Sequence, residues 1–321
     1  MRTRMLLLAV SLLLPASAWA DPPPKGGPRF PALESAEAWK LLPRETPTLP
    51  SWARTMAAAL PRTTGAMLEL DYVHRVKNPL GPVLAGKIRW ASADANQCDY
   101  ARRYAESDLR RAGLSDDDMK KLSVVPMKIV DDEQALLAFA RKLTLAAYTV
   151  TDEEMADLMK RFGPEKMVAV VHTLACANFQ QRIFFALGVQ VEENGPLPPV
   201  EFKLDPASKP KAMPRPEWKD VGGIKAKVAA MTPNWGSRDF DDVQKALENQ
   251  KGRKGRIAPP PADPKGKPTR IVWSQVSGGY QPLLTKTWGQ CLASFQQESQ
   301  FDKVFANTMF WVITRSNECF Y

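Results

Sequence analysis

Two cysteines of this chain stand in the same local setting, Asn96-Gln97-Cys98-Asp99-Tyr100 and Asn317-Glu318-Cys319-Phe320-Tyr321. A cysteine can reduce a peroxide or exchange a disulfide, and it does either only as the thiolate. A free thiol, with a pKa near 8.5, is mostly protonated at neutral pH. A helix N-terminus lowers that pKa by offering unpaired amides and a partial positive charge. Asn96-Gln97 reads as a helix junction just before Cys98, and Arg102 and Arg103 one turn later add positive potential. Cys319 is a second candidate nucleophile, with the acidic Glu318 beside it. For Cys98 two readings stand side by side, a redox thiol and a buried structural one.

Other potential chemistry is sparse. His172 and Cys176 are four residues apart, so on a helix they share a face and could form an imidazole–thiolate pair. The apolar stretch around them favours a core histidine beside a small buried cysteine. The four cysteines, 98, 176, 291 and 319, show neither Cys-x-x-Cys nor zinc spacing, and their pairing does not follow from sequence. With only His74 and His172 as imidazoles, no metal site and no cofactor are expected.

The two cysteine settings belong to a longer repeat. Residues 84–100 align without a gap on residues 305–321, with Ala, Trp, Asn, Cys and Tyr coinciding. Trp and Cys are rare, so their agreement in one register marks an internal duplication. Trp90 and Trp311 are then expected to fill equivalent core positions in two units that superpose as helical hairpins.

An apolar helix running into Asn-x-Cys-x-Tyr resembles the carboxymuconolactone decarboxylase superfamily, and within it the alkylhydroperoxidase D type of thiol peroxidase. The helical pattern that follows, including Asn178-Phe179-Gln180-Gln181-Arg182, is similar to the helices behind the cysteine helix in that family. The resemblance implies an all-α fold of duplicated helical units, a hydroperoxide substrate, a thiol electron donor, a homo-oligomer, and catalysis by Cys319 or Cys98. It also implies a second cysteine where Ala101 stands and a histidine where Ala105 stands. Their loss in the first copy points activity to Cys319, with a Cys and a His expected in the coding sequence after Tyr321. A competing reading is a non-catalytic helical scaffold or binding protein with a decayed redox motif. Lactone decarboxylation, which would need His74 or His172 for proton transfer, has less support.

The remaining sequence frames these sites. Arg2 and Arg4, the apolar run 5–14 and Ala18-Trp19-Ala20 read as an export signal cut before Asp21, so the protein is expected in the periplasm or outside the cell. The apolar run is too short to span a bilayer, which takes about 20 residues, so no integral membrane segment is expected. The net charge of +9 is concentrated in 251–270, where Asp263 is the one acid among seven basic residues. Its prolines and lack of aromatics predict a solvated, dispensable loop and no nucleic-acid site.

Organisation follows from composition. Residues 21–50 are a Pro-rich lead expected to pack little, 51–190 a helical domain, 191–216 a Pro-rich linker and 217–321 a partial second repeat. Ser115-Asp116-Asp117-Asp118 and Thr151-Asp152-Glu153-Glu154 are helix starts, each with a capping hydroxyl and acids at the positive end of the dipole. Gly163-Pro164 ends the second of these helices, and the next spans 165–187 and stops at Gly188.

Overall fold

The computed structural model describes residues 29–42, 48–124, 131–205, 255–261, 272–299 and 301–316, with scattered positions between 241 and 249. Every regular element among them is helical, so the fold is all-α. In chain order they are α1 (Ser35–Leu41), α2 (Ser51–Ala57), α3 (Pro61–Val76), α4 (Gly81–Ala95), α5 (Asp99–Arg111), α6 (Asp116–Leu122) and α7 (Asp132–Ala146). A short 3₁₀ turn (Ala147–Thr149) leads to α8 (Asp152–Leu187), followed by α9 (Val272–Tyr280), α10 (Pro282–Glu298) and α11 (Lys303–Ser316).

Local chemistry sets the helix ends. Ser115 Oγ accepts from the Asp118 amide while the Asp118 carboxylate accepts from the Ser115 amide, which closes a reciprocal capping box on α6. Thr151 Oγ1 accepts from the Glu154 amide at the start of α8. Gly163 (φ 76°, ψ 164°) leaves helical geometry inside α8, directly before Pro164, so the expected break between two helices is present as a kink. Gly188 takes the left-handed conformation, and the amides of Gly188 and Val189 return to the Phe185 and Phe184 carbonyls.

Two apolar clusters make up the interior. One gathers α1, α2, α3, the start of α5, the end of α8 and the chain around 200–204. The other lies between α4, α5, α6, α7 and α8. α4 sits centrally, packed against α5, α7 and α8. The close approach to α5 needs Gly86, because a Cβ there would lie 2.7 Å from Leu109 Cδ2.

The boundaries expected from composition are redrawn by burial. The lead segment contributes Trp39 and Leu49 to the core. The expected linker does too: Val200, Phe202 and Leu204 are buried, and Phe202 stacks on Trp39 with centroids 6.3 Å apart. Prolines restrict backbone hydrogen bonding but not burial, so an extended strap can still insert side chains between helices. α10, expected in a separate second unit, instead lies along α3 and buries Leu284, Thr287, Cys291 and Ser294. Cys291 joins the first cluster.

Two further expectations change. Trp90 is buried on α4, whereas Trp311 on α11 is 53% exposed, so the repeated tryptophans do not hold matching core positions. α11 shares no extended packing with another described helix, whereas α5, α7 and α8 surround α4. Within the basic segment, residues 255–261 dock. Arg256 pairs with Asp152 at 2.5 Å and donates to the Val150 carbonyl, and Ile257 packs on the second cluster. The expected export signal, Cys319, residues 206–216 and most of the basic run lie outside the described residues. None of the described helices is long and apolar enough to cross a membrane.

Candidate functional site

Cys98 is the N-cap of α5. The turn that delivers it is tight: Gln97 has φ 55°, and the Cys98 amide donates back to the Ala93 carbonyl at 2.8 Å. This turn directs the thiol inward, where Cys98 is 2% exposed. Burial pushes the thiol up, the Ala101 amide at the helix start pulls it down, and Asp99 pushes it up again. The result is about 11. The thiol is therefore protonated at neutral pH, and the helix N-terminus does not overcome desolvation.

The neighbouring arginines do not help. Arg102 pairs with Asp99 at 2.6 Å and Arg103 pairs with the same carboxylate at 3.0 Å. Their charge is spent on the acid that itself raises Cys98. Ala105 is fully buried in the second cluster, and Ala101 packs against the first, so neither position offers a thiol or a base.

The other described cysteines are similar. Burial raises Cys176 well above the ordinary thiol range and Cys291 to about 12. His172 is lowered by burial, with Nε2 3.4 Å from Thr285 Oγ1. Both shifts favour the neutral forms; Cys176 is a core residue, while His172 is partly buried. His74 is lowered to about 3 by burial, by His172 and by Arg89, and its buried Nδ1 has no hydrogen-bond partner. It is neutral at pH 7 and poorly placed to move a proton.

What the helices bring together instead is a buried ionic centre. Arg75 on α3 donates Nε and Nη2 to both oxygens of Asp108 on α5, each at 2.8 Å, and Nη1 to Asp71 at 2.9 Å. Nη2 also donates to the Leu197 carbonyl of the strap. Arg89 on α4 and Arg111 on α5 donate to Asp108 as well, each at 2.9 Å. Gln180 of α8 donates to the other oxygen of Asp71 at 3.0 Å. Burial works to raise Asp108, but Arg75 and Arg89 hold it at about 2. For Arg75 burial opposes the charge, and Asp71 and Asp108 more than restore it.

No family model, curated protein or solved structure matches this chain. The site is accordingly read from its own chemistry.

Beside the ionic centre is a cavity of about 20 Å³ lined by Asp71, Arg89, Tyr100, Tyr104, Gln180 and Trp52 among others. That is room for a molecule the size of water, since one probe sphere takes about 10–15 Å³. Tyr100 donates to Glu192 Oε1 at 3.1 Å, and the Ser51 amide donates to the same oxygen at 2.6 Å. These bonds tie the strap after α8 to α2 and α5. Among the described residues no group of three His, Cys, Asp or Glu side chains is placed to hold a metal ion.

The motif's asparagine also has a structural task. Asn96 Nδ2 donates to Asn178 Oδ1 at 2.8 Å and to Gln181 Oε1 at 2.5 Å, fastening the end of α4 to α8. Asp71, Arg75, Arg89 and Asp108 were not among the residues expected to form a site. Asp71 and Arg75 at helical i, i+4 spacing on α3 were the available signal.

Proposed function

We propose that this chain is a non-catalytic helical scaffold or binding protein in which a cysteine motif persists as structure. One observation carries the reading: Cys98 is buried and held near pKa 11, and Ala101 and Ala105 stand at the sequence positions where the resembled family carries a resolving thiol and a base. After oxidation to a sulfenic acid, a thiol peroxidase of this type must form a disulfide with a second thiol before it can be reduced. The four-helix ionic centre supports the same reading. A cluster with this many satisfied charges holds the four helices in one arrangement.

The test is direct. The full chain, supplied with hydrogen peroxide and dithiothreitol, is expected to consume no peroxide beyond the uncatalysed rate, and Cys98 is expected to resist an aromatic disulfide reagent until the protein is unfolded. Turnover that disappears in Cys98→Ser overturns the proposal. A thiol-antioxidant function carried by Cys319 is a second reading, resting on the closer match of Asn317-Glu318-Cys319 to a peroxidase motif. Turnover abolished by Cys319→Ser but kept in Cys98→Ser would establish that one.

A further inference from the structure

The cavity beside the ionic centre has a lining that limits what it can hold. Part of that lining is aromatic: the rings of Trp52, Phe184, Tyr100 and Tyr104 follow one another, with neighbouring centroids 6.4, 4.9 and 4.8 Å apart. Arg89, Asp71 and Gln180 supply the charged and polar part. Cys98 is not among the lining residues, so the site is independent of the thiol.

These polar groups keep hydrogen-bonding capacity that the chain does not use. Arg89 donates Nη1 to Asp108, while its Nε and Nη2 make no hydrogen bond among the described residues. Gln180 gives Nε2 to Asp71, and its Oε1 accepts none. Each Asp71 oxygen takes one bond, from Arg75 or from Gln180, and a carboxylate oxygen can accept a second. Gln180 is only 5% exposed and Asp71 7%, so bulk water does not reach them freely. Enclosed donors and acceptors cost free energy unless something meets them.

Size and charge decide what that is. A cavity of about 20 Å³ admits one water, which takes about 10–15 Å³, but no carboxylate, phosphate or sugar. A cation would be repelled by Arg89 and an anion by Asp71, so neither sign of ion suits the lining. A neutral molecule that both donates and accepts satisfies the two together. Apolar cavities stay dry, whereas one with two to four polar partners holds water.

We propose that this cavity binds one ordered water molecule, which accepts from Arg89 and donates to Asp71 and to Gln180 Oε1, and so joins α3, α4 and α8 at the ionic centre.

A crystal structure of the full chain grown in sodium bromide is expected to show one ordered oxygen about 2.7–3.2 Å from Arg89 and from Asp71 or Gln180, with no anomalous bromide peak there. In solution, oxygen-17 relaxation dispersion counts the waters that a protein holds for longer than nanoseconds. Ala177→Val, which enlarges a side chain of the lining, is expected to lower that count by one with an unchanged helical circular dichroism spectrum. An empty cavity, a bromide inside it, or an unchanged count in folded Ala177→Val overturns the proposal. Peroxide turnover enters neither measurement, so the water site and the scaffold reading fail separately.

Discussion

At Cys98 two influences oppose each other: the Ala101 amide at the first turn of α5 favours a thiolate, and removal of water from the sulfur disfavours it. Desolvation wins because the side chain is enclosed, and Asp99 adds to it. His74 shows the same competition with the opposite charge. Its pKa is about 3 in the folded protein against 6.5 in an unfolded chain, so below pH 6.5 the unfolded state takes up a proton that the native state refuses. The associated stability is complete above about pH 6.5 and is lost as pH falls towards 3. At about 1.4 kcal/mol per pH unit, the full loss is of the order of 4–5 kcal/mol. Urea unfolding at pH 7, 6, 5 and 4 is expected to show a falling midpoint, and His74→Leu is expected to flatten most of that fall. His172, lowered in the same direction, accounts for part of what remains. Asp108, at about 2, adds its loss only below pH 4.

Between elements, the start of α3 depends on a residue from far along the chain. Glu298, the last residue of α10, accepts through its two oxygens from the amides of Arg62 and Thr63 and from the Thr63 hydroxyl, all at 2.6 Å. A carboxylate there meets both the unpaired amides and the positive end of the helix dipole. Glu298→Ala is expected to cost about 2 kcal/mol, the scale of hydrogen bonds to a charged group, measured as a lower urea midpoint with an unchanged slope. Glu298→Gln, which keeps acceptor capacity on one oxygen, is expected to cost less. An equal loss in both would mean that charge, rather than hydrogen bonding, holds α10 to α3.

For the whole molecule, the strap 196–205 and the docked piece 255–261 bind the bundle with different strength. Phe202 is 2% exposed, contacts Trp39 and closes over Gly65, where a Cβ would lie 3.1 Å from its ring. Its removal leaves a cavity, and Phe202→Ala is expected to destabilise the protein by about 3–5 kcal/mol. Arg256 meets Asp152 where that carboxylate is 66% exposed. An ion pair so open to water is worth at most about 1 kcal/mol, so Arg256→Ala is expected to lower the melting temperature by only a few degrees. Calorimetry on the two variants checks the ranking, and a larger loss at Arg256 would show that 255–261 anchors more than its own length.

The amino-acid sequence by itself determined the helical class and the helix ends. Ser115, Thr151, Gly163-Pro164 and Gly188 act through hydroxyl caps, a missing amide and left-handed backbone, all of which reach no further than one helical turn. The junction before Cys98 was legible for the same reason. What only the tertiary structure decided depends on sums over distant neighbours. The ionisation of Cys98, the convergence of Arg75, Arg89 and Asp108 from three helices, and the packing of α10 on α3 have no local signature. The repeat shows this limit most clearly. Residues 84–100 and 305–321 share a tryptophan in one register, yet Trp90 is 2% exposed and Trp311 53%. A helix sequence states how much apolar surface must be covered, while the helices packed around it determine whether that surface is buried.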